Sequence, residues 1–174
     1  DYYSAGLYTE SIERYTRSLE FFEDAYCIQS RLAVRLYDQG HVGDAIKHYK
    51  KAYELMPSSF GRVESHCFGC ESAFAGEQPQ SIAEEVFLGL MKTQPDSPQL
   101  YYLMGYLRDY QDREVEALGY LKKAVVLDPD YLNAWKKIHS LSQKMDIGVT
   151  ASDDLALKIY ALDPLGQHSS PQLD

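Results

Sequence analysis

Residues 98–129 read PQLYYLMGYLRDYQDREVEALGYLKKAVVLDP, and this stretch decides the fold of the chain. Tyr101 and Met104 are one helical turn apart and predict an apolar stripe on a first helix. Gly105 and Ala117 are small, so a second helix can approach the first one closely at these positions. The closing proline ends the second helix, because it has no N–H and its ring clashes with the preceding turn. The stretch therefore predicts a helical hairpin.

The pattern of the second helix recurs along the chain. In this pattern an alanine is followed four positions later by a large apolar residue, and a small or apolar residue comes three positions after that. A proline follows five positions later still. Copies of the pattern begin at Ala45, Ala83 and Ala117. The closing prolines are Pro57, Pro95, Pro129 and Pro164. Their separations of 38, 34 and 35 positions are close to the period of about 34 residues in the tetratricopeptide repeat (TPR), which the chain resembles.

The resemblance covers residues 8–164 and implies an all-α fold. It predicts one TPR-type α-solenoid domain over residues 1–165, in which antiparallel helix pairs stack into a right-handed superhelix. Residues 166–174 are predicted to be a C-terminal tail. The predicted units are a partial repeat over 8–24 and full repeats over about 26–59, 60–97, 98–131 and 132–165.

Three features depart from the TPR pattern. Glu23 stands where the first unit should have its proline, so that unit is interpreted as truncated or degenerate. Gln29 replaces the usual tryptophan of the second unit. The first helix of the third unit, around residues 62–74, is expected to be short or irregular, because glycine inside a helix costs about 1 kcal/mol relative to alanine. The glycines concerned are Gly61, Gly69 and Gly76.

Composition restricts the classes of function. Hydrophobic residues make up 45% of the chain and charged residues 25%, which predicts a folded chain. No apolar segment approaches the roughly 18 residues that a membrane span needs, so no membrane association is expected. A net charge of −9 argues against nucleic-acid binding and favours basic or neutral peptides. Three cysteines, an odd number, favour reduced thiols and a cytoplasmic location.

The resemblance implies a partner-binding groove lined by the first helices of the repeats. Tyr102, Tyr106 and Tyr110 follow an i, i+4, i+8 spacing and form one stripe on their helix. Tyrosine suits peptide contacts, since it offers a rigid apolar area and a hydroxyl group. The alternative is that the stripe packs in the core. The predicted groove residues are Val34, Tyr37, Tyr102, Tyr106, Tyr110, Asn133, Lys136, Ser140 and Lys144.

The carboxylate clamp, with which many TPR proteins hold an acidic peptide terminus, is missing. Its lysine and asparagine positions are occupied by Ser30 and Val34 in the second unit, and by tyrosines in the fourth. Lys136 and Lys137 in the fifth unit are expected to be isolated basic residues in a solvated patch.

One group of residues could carry chemistry. His66-Cys67-x2-Cys70 places two thiols one turn apart, as zinc and dithiol sites require, but a second pair of ligands is missing. In the TPR register both cysteines take apolar positions of a helix, so packing is the favoured interpretation and a metal or redox site the alternative. His139 and His168 have no nucleophile motif to pair with. The sequence predicts no catalytic residue, no metal, no cofactor and no enzyme activity.

The leading hypothesis is a protein–protein interaction scaffold that binds a partner peptide or protein in the concave TPR groove. The alternative is a regulatory or substrate-recruiting TPR arm of a larger enzyme, of the glycosyltransferase or sensor kinase type. A Cys-based redox or zinc protein is a third reading. A homo-oligomer that forms through exposed terminal repeats is also compatible with the pattern.

Overall fold

The computed structural model describes residues 6–57, Arg62, 80–146 and 149–166, and all regular structure within these residues is helical. The helices are α1 (Tyr8–Phe21), α2 (Tyr26–Asp38), α3 (Val42–Leu55), α4 (Gln80–Thr93), α5 (Pro98–Tyr110), α6 (Glu114–Leu127), α7 (Leu132–Lys144) and α8 (Val149–Leu162). Consecutive helices pack as pairs: α1 on α2, α2 on α3, α5 on α6, α6 on α7 and α7 on α8. The all-α prediction is confirmed.

The helices fall into two compact units. The first contains α1 to α4, and the second contains α5 to α8 together with Arg62. The prediction of a single superhelical domain stays a prediction. Apart from Arg62, the irregular first helix expected over residues 62–74 lies outside the described residues, and so do His66, Cys67 and Cys70.

In the first unit, α3 holds the core together. Ala45 and Ala52 are fully buried on the helix that pairs with α2. Tyr49 and Tyr53, on the same helix, both contact Phe87 of α4, with ring centroids 6.0 Å and 6.5 Å apart. The second-helix pattern therefore places its small residues and its large apolar residues in one buried core.

In the second unit, α5 and α6 touch at Gly105. A Cβ atom on Gly105 would lie 2.6 Å from Cγ of Leu121 and 3.2 Å from the carbonyl oxygen of Ala117. Real Cβ atoms do not approach carbon atoms so closely, so a larger residue fits at this position only if the Leu121 side chain or α6 itself moves. The predicted close approach of the two helices is confirmed.

Residues with a left-handed backbone conformation reverse the chain direction after α2, α5 and α7. Gly40, between α2 and α3, has φ +82°, a conformation that glycine adopts without strain. Asp112, between α5 and α6, and Asp146, after α7, take the same kind of conformation with φ +55° and +51°. Aspartate is one of the few other residues that tolerate it.

A polar pair joins α2 and α3. Gln29 is buried where TPR units usually have tryptophan, and its side-chain oxygen Oε1 lies 2.6 Å from Nδ1 of His48. Its amide nitrogen donates to the backbone oxygen of Glu23 at 3.4 Å. Partial burial lowers the pKa of His48, and the charge of Asp44 opposes this shift. The hairpin therefore favours a neutral imidazole.

Gly105→Ala should destabilise the protein. The added Cβ overpacks the contact with Leu121, which costs about 1–3 kcal/mol and exceeds the roughly 1 kcal/mol of helix propensity gained. Gly119 in α6 is the matched control, because a Cβ there meets nothing within 4 Å, so Gly119→Ala should stabilise by up to about 1 kcal/mol. Urea unfolding of both variants measures the difference, and equal stabilisation by the two would disprove the close contact.

The stability should fall as the solution is acidified through the pKa of unfolded histidine. Since the pKa of His48 is lowered in the fold, the unfolded chain binds more protons between that value and about 6.5, and stability rises with pH across this window. His48→Gln, which has no titrating group, should unfold with a weaker pH dependence from about pH 7 to about pH 5. Identical pH profiles of variant and parent would show that His48 carries no such linkage.

Candidate protein-binding site

The predicted tyrosine stripe of α5 runs from the core to the surface. Tyr102 is only 2% exposed, because its ring packs against Tyr131, just before α7, with centroids 5.0 Å apart. Tyr106 is half-buried and Tyr110 is 51% exposed. The expected accessibility of Tyr102 is therefore wrong, and the outer end of the stripe is the part that a ligand can reach.

Lys137 fixes the ring of Tyr106. Its ammonium nitrogen Nζ lies 4.5 Å from the centroid of that ring and 2.6 Å from Oδ2 of Asp109. Cation–π contacts and ion pairs of this kind restrain both side chains. The expected isolation of Lys136 and Lys137 is wrong, because Lys136 also pairs with a carboxylate, that of Asp163, at 3.5 Å.

Lys144, the last residue of α7, forms two contacts with carboxylates at and just before the start of α6. Its Nζ lies 2.8 Å from Oε1 of Glu114, at the start of α6, and 3.9 Å from Oδ1 of Asp112. The hydrogen bond lowers the pKa of Glu114 and raises the pKa of Lys144. A carboxylate at a helix N-terminus and an ammonium group at a helix C-terminus are also favoured by the two helix dipoles.

Five residues of α5 and α7 in the second unit, none of them buried, make up what we call the tyrosine–lysine face. It consists of Tyr106, Tyr110, Lys137, Ser140 and Lys144. Ser140 is exposed and lies on α7 between the two lysines, one turn from each. Because both lysines pair with carboxylates of the same chain, the face offers apolar area and hydroxyl groups rather than unbalanced charge.

The other predicted groove residues lie elsewhere. Val34 is buried in α2, so its expected accessibility is also wrong. Tyr37 is half-buried in the first unit. Asn133 is half-buried at the start of α7, and its backbone N–H donates to the backbone oxygen of Arg62 at 3.2 Å. Partner contact by any of the predicted groove residues stays a prediction.

Sequence reasoning missed the part of Asp109 in this surface. It lies one helical turn after Tyr106, and this spacing alone predicts that the two side chains are neighbours on α5. Its partner Lys137 is on a different helix, and no local pattern in the sequence reveals a pair between residues so far apart.

Within the residues that the structure describes, no three His, Cys, Asp or Glu side chains cluster closely enough to hold a metal ion. In the same part of the chain, every helix is too short or too polar to cross a membrane.

The fold resembles that of MamA, a TPR-like protein. A structure titled MamA RS-1 ArsTM double mutant has a TM-score of 0.52 and 16% sequence identity, and the match covers 97% of this chain and 92% of that one. The 41-end form of MamA from Desulfovibrio magneticus RS-1 gives a TM-score of 0.52 at 16% identity, over 94% and 89% of the two chains. No protein-family model and no curated sequence matches. The TPR-type helical fold is thus confirmed, and at this identity the likeness shows the fold alone.

Proposed function

We propose that this chain is a non-enzymatic interaction module that binds a segment of a partner protein on the tyrosine–lysine face. The observation that carries the proposal is the exposed ring of Tyr110 beside Tyr106, whose own ring is held by Lys137 at 4.5 Å. Exposed aromatic residues next to rigid neighbours are typical anchors of protein interfaces. The TPR-type fold supports the proposal, since stacked helical hairpins present extended binding surfaces.

The ion pairs preorganise the lysine side chains of this face before a partner binds. Lys137 and Lys144 are already restrained by Asp109 and Glu114, so little side-chain entropy remains to be lost when a partner docks. Because the positive charges of these lysines are already paired with carboxylates, we expect the partner to contribute an apolar side chain and hydrogen-bonding groups. The net charge of −9 adds a long-range preference for a neutral or basic segment. The odd number of cysteines supports a cytoplasmic setting for this function.

Tyr110→Ala should weaken partner binding without loss of stability. The side chain is half exposed, so its truncation removes little core area, whereas loss of an aromatic anchor costs about 2 kcal/mol, or more than tenfold in affinity. Tyr102→Ala should behave in the opposite way and lose about 3–5 kcal/mol of stability, because its ring is buried. Thermal melting and titration calorimetry with a peptide from a captured partner measure both effects.

Val115→Ala provides the control for binding. Val115 is exposed on α6 and is not part of the tyrosine–lysine face, so this variant should capture the partner as the parent does. Undiminished binding by a folded Tyr110→Ala variant, or equal losses in the Tyr110 and Val115 variants, would contradict the assignment of the site.

A further inference from the structure

Arg62 contacts the corner between α6 and α7, although it lies 66 positions before the carboxylate that it binds there. Its Nε is 2.7 Å from Oδ2 of Asp128 and its Nη2 is 3.3 Å from Oδ1, so the guanidinium group makes a two-point contact with the carboxylate. The backbone oxygen of Arg62 also accepts a hydrogen bond from the N–H of Asn133 at 3.2 Å. The corner thus contacts one arginine through both its side chain and its main chain.

The main-chain contact satisfies a donor at the start of α7. Asn133 is the second residue of that helix, and the N–H groups of a first helical turn have no acceptor within the helix. The N-cap residue, Tyr131, does not have the short polar side chain that usually accepts from these groups. The carbonyl oxygen of Arg62 takes this place, and the helix dipole favours an acceptor there.

The corner is positioned by hydrogen bonds that do not involve Arg62. Oδ1 of Asp128 also accepts from the backbone N–H of Asp130 at 3.1 Å. The backbone oxygen of Asp128 accepts from the N–H of Tyr131 at 3.1 Å, and Nε1 of Trp135 donates to the backbone oxygen of Pro129 at 2.8 Å. The carboxylate and the first turn of α7 are therefore preorganised to receive an arginine.

The contact made by Arg62 is open to exchange. The side chain of Arg62 is 43% exposed and that of Asp128 is 21% exposed, and ion pairs that are open to water add little to stability. Asp130 is exposed beside them and approaches Lys158 only to 3.9 Å. Its charge and the net charge of −9 attract basic segments to this corner. An arginine from another chain can therefore compete for the same place.

We propose that the α6–α7 corner is a binding site for an arginine-bearing segment of another protein, and that Arg62 occupies it as an internal ligand. The site lies at the start of α7, apart from the tyrosine–lysine face, whose α7 residues lie within 137–144. Arginine fits better than lysine, because its guanidinium group offers a carboxylate two N–H donors in a fixed geometry. The contact with Asn133 requires that the arginine be part of a peptide chain. Removal of Arg62 should open the site.

Titration calorimetry with a capped peptide of the sequence of residues 58–65, SSFGRVES, tests the proposal. The Arg62→Ala protein should bind this peptide at least about tenfold more tightly than the parent, because an arginine tethered in the same chain competes at an effective concentration in roughly the millimolar range. Arg113→Ala is the matched control. Arg113 is 45% exposed and contacts Glu116 through two guanidinium nitrogens at 2.8 Å, so its loss should leave peptide binding as it is in the parent.

Two further changes test the chemistry of recognition. Asp128→Asn, added to the Arg62→Ala protein, keeps an oxygen that can accept from Asp130 but removes the charge, and it should weaken peptide binding at least about tenfold. The same peptide with Arg62→Lys should also bind at least about tenfold more weakly to the Arg62→Ala protein.

Thermal melting separates a ligand contact from a structural one. Arg62→Ala should melt within about 4 °C of the parent, because the ion pair is open to solvent. A variant that does not fold, or melts far below the parent, would show that Arg62 is a structural part of the corner and would overturn the proposal. Equal peptide binding, or none, in the parent and in the Arg62→Ala and Arg113→Ala variants would overturn it too, as would binding that is insensitive to Asp128→Asn.

Discussion

The absence of a side chain at Gly105 is the constraint on which the second unit depends. Because Leu121 occupies the space that a Cβ would take, α5 and α6 pack with their backbones close together, and Ala117, whose carbonyl oxygen lies at the same contact, is fully buried. Close approach removes water from both helices and sets their direction. The positions of Tyr106 on α5 and of Glu114 on α6, and hence the surface built around them, follow from this packing.

The first unit reaches the same arrangement by other means. Its α2–α3 hairpin carries the polar pair of Gln29 and His48, and α4 joins it through Phe87, which lies against two tyrosines of α3. A part-buried polar pair contributes less net stability than apolar packing, yet it penalises any shift of the helices that would leave one partner without a hydrogen bond. The two units therefore share a fold while differing in what fixes their helix pairs.

Much of the fold could be predicted from the sequence, because its determinants are local and repeated. Small residues, helical spacing and closing prolines recur every 34 to 38 positions, and each predicts a helix or its end without knowledge of distant contacts. The site could be predicted only in part. Which side of α5 is covered depends on Tyr131, which lies just before α7. Which lysines form ion pairs within the chain depends on Asp109 and Asp163, and each of these carboxylates lies on a different segment from its lysine. Pairings of this kind leave no periodic signal in one sequence.

Native-state hydrogen exchange tests most directly whether the α5–α6 contact holds the second unit together. The amides around Gly105 and Ala117 should exchange together and most slowly, near the free energy of global unfolding, since they lie in the best-packed contact of that unit. Within the described residues of α1, Ser11 is the one buried side chain, so the amides of α1 provide a fast-exchanging internal reference. Exchange of the α5 and α6 amides at rates like those of α1, or at rates that differ strongly between α5 and α6, would contradict the account.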